Sequence, residues 1–245
     1  MLRKIAKARV WVAAAAALTI LFAFPAQAAA MHIMEGMLPT KWCIFWAALY
    51  IPFFARGIYV ISKKCAGDGH MKLLLAMSAA YCFILSALKL PSVTGSSSHP
   101  TGTGLGAVLF GPSAMSVLGL IVLAFQALLL AHGGLSTLGA NAISMAVVGP
   151  FAGYGVYLLL GRMNVKKSIC VFAAAFTADL VTYVVTSFQL GLAFQTAEMG
   201  LAATTVKFLG VFAVTQIPLA IAEGLLTVVI FNTLKLLSPA ERSLA

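Results

Sequence analysis

Thr101-Gly102-Thr103-Gly104-Leu105-Gly106-Ala107-Val108-Leu109-Phe110-Gly111, followed by Pro112, is the stretch whose reading decides the fold. As a helix its eleven residues would reach only about 17 Å, against about 30 Å of bilayer hydrocarbon. Six longer apolar runs surround it, at about Trp42–Ile61, Met71–Leu90, Ser113–Ala131, Leu138–Leu160, Ser168–Phe188 and Ala202–Leu236. Each is long enough for a helical crossing. Short basic loops mark the cytoplasmic side. Lys63 and Lys64 follow the first run, Arg162, Lys166 and Lys167 follow the fourth, and Lys235 and Arg242 lie near the carboxyl end. With six crossings these groups cannot share one side. They do so if Thr101–Gly111 also crosses. The expected fold is therefore an all-α polytopic membrane bundle of about seven spans, amino terminus outside and carboxyl terminus cytoplasmic. A crossing this short needs extended backbone beside it, shielded by helices or lining a cavity. Broken membrane segments of this kind point to substrate sites. The last run exceeds one crossing, so Pro218 is expected to kink it, or its lower part to leave the bilayer.

Composition agrees. Of 245 residues, 62% are hydrophobic and 9% charged, where a soluble domain carries about 25% charged residues. Lipid must solvate most of this chain, which excludes a soluble enzyme. The formal charge of +10 reads as topology signal rather than as a nucleic-acid surface, because the basic residues sit in short loops or at the start. Arg3, Lys4, Lys7 and Arg9 precede an apolar run, Val10–Phe24, and a small-residue stretch, Pro25–Ala30. That is the layout of a cleavable signal peptide over residues 1–30, leaving one membrane domain over 31–245. Cleavage fits after Ala28 or after Ala30, and the second makes Met31 the new amino terminus. An uncleaved anchor helix is the competing reading. Cys43, Cys65, Cys82 and Cys170 form no CxxC pair and read as small buried apolar residues.

The chemistry-bearing residues are few. A chain beginning Met31-His32 offers the α-amine, the His32 amide nitrogen and the His32 imidazole in sequence, enough for fused five- and six-membered chelate rings. Imidazole suits late first-row metals, and the amine, with a pKa near about 7.7–8.0, loses its proton at modest cost to a competing ion. Ser96-Ser97-Ser98-His99-Pro100-Thr101-Gly102 is a polar island on the same expected side, in which His99 can be a further ligand and Ser97 and Ser98 can support it. An ordinary solvated loop is the bland alternative. His132-Gly133-Gly134-Leu135-Ser136-Thr137-Leu138-Gly139-Ala140-Asn141 can line an approach path or orient ligands through His132 and Asn141, or can simply be a tight interhelical turn. Asp179, Gln216 and Glu223 lie inside apolar runs, where polar groups are costly and either functional or paired between helices. Lys89 and Lys207 are placed to snorkel. His70 reads as solvated. The chain lacks a G-x-x-x-x-G-K-[ST] phosphate loop, so ATP-driven work would need another subunit to hydrolyse the nucleotide.

Met31-His32-Ile33-Met34-Glu35-Gly36, then Pro91–Gly104, then His132–Asn141, together with Asp179–Ser187 and Val214–Gly224, resemble the CbiM family, the substrate-binding membrane subunits of cobalt energy-coupling-factor transporters. The resemblance runs from about Met31 to Leu236. It implies a seven-helix fold with the amino terminus tucked into the bundle from outside. It implies Co(II) as the transported substrate, held by Met31, His32 and His99. It also implies a small membrane subunit (CbiN), a coupling membrane subunit (CbiQ) and an ATPase (CbiO) as partners, in the plasma or inner membrane, serving cobalamin synthesis. The related nickel subunits, NikM, share the terminal arrangement, so Ni(II) stays open as cargo. Many relatives begin at the equivalent of Met31, so residues 1–30 are either a signal or an overlong gene start. A Ser98–His99 hydrolase is disfavoured, because adjacent residues seldom align as nucleophile and base and no orienting carboxylate is near in sequence. A vitamin-binding subunit of similar architecture would not need the Met-His terminus.

Overall fold

A computed structural model describes residues 32–91 and 97–237 of the chain. The signal segment, Met31 and Arg242 lie outside the described residues, as do the side chains of Ser97 and Lys235. An arm leads into α1 (Thr40–Lys64) and α2 (Gly69–Ala87). A minimal antiparallel ladder follows, β1 (Leu90–Pro91) with β2 (Ser97–Ser98). Then come α3 (Thr103–Phe110), α4 (Pro112–Leu129), α5 (Leu138–Arg162), α6 (Lys167–Phe194) and α7 (Gly200–Leu237). Six of these helices, all but α3, are long and apolar enough to cross a membrane. Their bounds follow the apolar runs to within a few residues, because hydrocarbon thickness sets both. The helix α7 continues through Pro218 over its whole range.

Polarity is arranged for lipid. Ile44, Ile51, Ile58, Val214 and Val229 point outward and are exposed, while Gln126, Gln189, Gln216, Asp179 and Glu223 are buried at the centre. Small residues let the backbones approach. A Cβ on Gly104 would collide with the Ala175 backbone, and one on Gly139 with the Ala47 backbone.

The helix α3 has only eight residues, about 12 Å of rise. It follows the extended segment Ser98–Gly102 inside the bundle. From Ser98 to Val108 every residue is buried, so helices on all sides shield this backbone, as a broken membrane segment requires. Gly102, at φ 69°, turns the extended segment into α3. Gly111, at φ 83°, ends α3, and Pro112 starts α4, a position where proline's missing N–H costs nothing. Both turns use the left-handed region open to glycine.

Packing gathers the helix ends at two faces of the bundle. Near one face Phe231 of α7 packs with Val171 of α6, Val108 of α3 and Tyr157 of α5, so Arg162, Lys166 and Lys167 lie toward that end. In the second half of α1, a Cβ on Gly57 would meet the Ser113 carbonyl and Val117, at the beginning of α4. The basic ends of α1 and α5 therefore share a face. The arm and the α4–α5 loop lie at the other.

Candidate metal centre

The arm is fastened residue by residue to the loop between α4 and α5. Asn141, at the start of α5, grips Ile33 from both sides. Its Oδ1 accepts the Ile33 N–H at 2.9 Å and its Nδ2 donates to the Ile33 carbonyl at 3.0 Å. Thr137, one helical turn earlier, donates its hydroxyl to the same carbonyl at 2.6 Å. The Ser136 N–H donates to Glu35 Oε2 at 3.0 Å. Hydrogen bonds from the Ser136 hydroxyl and N–H hold the Glu35 carboxyl below the usual glutamate range. Gly134 leaves room for the arm, since a Cβ there would collide with the Glu35 backbone. Ile33 is wholly buried as a result.

This docking carries His32 into the bundle, where it meets His99 and His132. His32 Nδ1 lies 3.1 Å from His99 Nε2 and 3.3 Å from His132 Nε2, and the last two are 2.9 Å apart. All three rings are buried. Metal–imidazole bonds are about 2.0–2.1 Å long. Ligand nitrogens then stand about 2.9 Å apart at a right angle and about 3.3–3.4 Å apart at a tetrahedral one. The observed triangle matches that spacing, so one ion can touch all three nitrogens.

The outer nitrogens fix the chemistry of the inner ones. His32 Nε2 faces the Met145 sulfur at 3.1 Å. A thioether only accepts, so this nitrogen carries the hydrogen and Nδ1 is the lone pair. His99 Nδ1 faces the Pro100 carbonyl at 2.8 Å, so Nε2 is again the lone pair. Such contacts from the non-ligating nitrogen fix the tautomer at metal sites. Burial and the neighbouring His99 ring push both His32 and His132, in the arm and the α4–α5 loop, below the ordinary histidine value, and His32 feels His132 as well. They stay neutral and able to ligate. Met145 belongs to Ala142–Val148, where α5 is wound as a π-helix, a local widening that recurs at functional sites.

Below the rings a second polar layer joins the extended segment to α6 and α7. Glu223 Oε2 accepts the Thr101 N–H at 2.6 Å, and its carboxylate also accepts from the Thr101 hydroxyl. Gln216 Nε2 donates to Asp179 Oδ2 at 2.7 Å and reaches the His99 carbonyl at 3.5 Å. Asp179 and Gln216 thus bond between α6 and α7, whereas Glu223 bonds to the extended segment rather than to another helix.

Of the residues singled out from sequence, His32, His99 and His132 come together, and Asn141 stands beside them through Ile33. His132, expected on an approach path or in support of the ligands, brings its Nε2 to 2.9 Å from His99 Nε2 and 3.3 Å from His32 Nδ1. Ser98 turns away, its hydroxyl 2.9 Å from that of Thr215 on α7. Lys89 donates to the Leu130 carbonyl at 2.8 Å, and His70 is exposed. Sequence reading did not single out Met145, Thr101 or Thr137. For Thr137 a signal existed, because it stands four residues before Asn141 and shares its face at the start of α5.

A multi-helix membrane bundle with a buried three-histidine cluster near one face is the architecture of a metal-transport protein. Two solved structures share the fold. One, described as a crystal structure of a transition metal transporter, superposes with a TM-score of 0.71 at 26% identity, covering 83% of this chain and 92% of that one. A truncated transition metal transporter gives 0.70 at 26% identity, covering 83% of this chain and 97% of that one. Residues 32–241 match the CbiM family, described as the cobalt uptake substrate-specific transmembrane region. The cobalt transport protein CbiM of Limosilactobacillus reuteri is 59% identical over 211 residues, 86% of this chain and 85% of that protein. The one from Streptococcus sanguinis is 61% identical over 203 residues, 83% of each. The chain belongs to the CbiM family, as its motifs led us to expect.

Proposed function

We propose that this chain is the substrate-capture subunit of an ATP-driven cobalt importer of the energy-coupling-factor type, supplying cobalamin synthesis. The observation that carries the reading is the triangle of imidazole nitrogens, 2.9–3.3 Å on a side, formed only because the amino-terminal arm docks beside it. Co(II) is the cargo. His32 and His99 bind it through their inner nitrogens, with His132 Nε2 at the same point. Met31, freed by removal of residues 1–30, adds its α-amine next to the His32 amide. The arm faces outside and the basic loops face the cytoplasm, as the positive-inside rule requires. The protein sits in the plasma or inner membrane with CbiN, CbiQ and CbiO, and CbiO supplies the ATP hydrolysis for which this sequence has no phosphate loop.

Uptake of radiolabelled cobalt and nickel by cells carrying the four-subunit complex tests this. Cobalt should accumulate, nickel should compete at the binding step, and inactivating the ATPase should abolish accumulation while leaving binding to this subunit. Nickel uptake far above cobalt uptake would reassign the cargo, since a nitrogen donor set favours nickel over cobalt in general affinity. Accumulation with an inactive ATPase would refute the division of labour.

A further inference from the structure

Asp179, Gln216 and Glu223 are buried, far along the chain from the arm, and carry no part of the ligand set. What they touch is the backbone on either side of Pro100. Glu223 accepts the Thr101 N–H at 2.6 Å and the Thr101 hydroxyl at 3.2–3.3 Å. Gln216, seven residues earlier and so on the same face of α7, reaches the His99 carbonyl and is itself oriented by Asp179 of α6 at 2.7 Å. The segment between them is extended backbone inside the bundle, with no helical hydrogen bonds to fix it. Its polar groups must be satisfied by side chains. His99 Nδ1 in turn bonds to the Pro100 carbonyl, so the ring is tied to the same backbone that α7 grips.

We infer that Glu223, with Gln216 and Asp179, is a positioning residue that holds the His99–Thr101 backbone where His99 Nε2 can ligate the metal. The inference rests on the proposed metal site. It makes α7 the anchor of one ligand, since Glu223 and Gln216 hold the Thr101 and His99 backbone, while the α4–α5 loop holds the arm that carries His32. Glu223 is needed for its acceptor oxygens, which an amide can partly replace, and not as a ligand for the ion.

Cobalt titration of purified protein tests this in wild type, Glu223→Ala, Glu223→Gln, His99→Ala and the Glu223→Ala/His99→Ala double variant. Absorption of the bound Co(II) provides a second readout. Removing the partner of a buried N–H costs enough to weaken binding by about tenfold or more. Glu223→Ala should lose that much and shift the cobalt bands toward those of His99→Ala. Glu223→Gln should recover most of the loss, because its side-chain oxygen still accepts from Thr101. In the His99→Ala background Glu223→Ala should add less than about twofold, as expected of residues acting through one group. Equal losses in both backgrounds, or Glu223→Gln as weak as Glu223→Ala, would overturn the positioning role. Failure of the wild type to bind cobalt would instead reject the metal site itself.

Discussion

Asn141→Ala is the most direct challenge to the idea that the arm must dock before metal can bind. Asn141 satisfies both backbone groups of Ile33, at 2.9 and 3.0 Å. Thr137 also serves the carbonyl, at 2.6 Å, so the alanine variant orphans only the N–H. Ile33 is 0% exposed, so water cannot replace the lost partner. An orphaned buried N–H costs about 1–3 kcal/mol and the second lost bond about 0.5–1.5 kcal/mol net, a sum of about 1.5–4.5 kcal/mol. If the binding-competent state is the docked one, apparent affinity falls by the fraction still docked. The ceiling is then a weakening of about 10- to 2,000-fold, and at least tenfold is expected. Thr137→Val keeps the shape and leaves Asn141 on the carbonyl, so it should cost only about 0.5–1.5 kcal/mol, or about two- to tenfold. Calorimetric titration with cobalt reads both variants, and hydrogen exchange at the Ile33 amide reports docking directly. An Asn141→Ala protein that binds within about twofold of wild type, with Ile33 equally protected, would refute the argument.

Adding one or two residues ahead of Met31 in the mature chain should weaken cobalt binding severely although His32 and His99 remain, since a terminal amine exists at one place only; mass spectrometry of the purified chain fixes the true terminus. Gly104→Ala should lower the melting temperature in detergent, because its methyl meets the Ala175 backbone and overpacking costs about 1–3 kcal/mol. Gly155→Ala, with nothing within 4 Å of the new methyl, should leave the melting temperature unchanged or raise it. Reporters fused after Lys64 and after Lys167 should both be cytoplasmic and one inserted near Ser97 external; a Lys167 fusion found outside would contradict the seventh crossing.

The long helices were legible because bilayer thickness writes a run of about 20 apolar residues into the sequence. The break that holds the short helix α3 was legible for a different reason. By hydropathy alone Thr101–Gly111 is too short, and only the side on which Arg162 and Lys167 must lie demanded it. The His32–His99 pair was reached through their shared face and a family resemblance. What could not be read was the wiring between distant residues. Periodicity tells which residues share a helix face but not which helix that face meets. Met145, 113 residues from His32, and Thr101, 122 residues from Glu223, therefore carried no signal of their partners. The role of Asn141 was hidden for a second reason, because it acts on the Ile33 backbone, which is the same for nearly any residue.

His132 differs from the other two rings in a way that leads to the last prediction. Met145 and Pro100 force lone pairs onto His32 Nδ1 and His99 Nε2, which face each other at 3.1 Å. Two lone pairs at that distance repel unless something positive lies between them. In protein stripped of metal by a chelator, the ring among the described residues that can supply it is His132, whose Nε2 is 2.9 and 3.3 Å from them. Metal-free His132 should therefore be the Nε2–H tautomer, its hydrogen shared between two acceptors. When an ion takes that place the hydrogen must leave Nε2, and the ring can become an Nδ1–H ligand without releasing a proton to solvent. Nitrogen-15 NMR of labelled histidines, with diamagnetic zinc in place of cobalt, distinguishes the tautomers. His132→Phe should splay His32 from His99 in the metal-free protein, seen as faster exchange at the Ile33 amide. Metal-free His132 found as the Nδ1–H tautomer would refute this account, because the two facing lone pairs would then have no hydrogen between them.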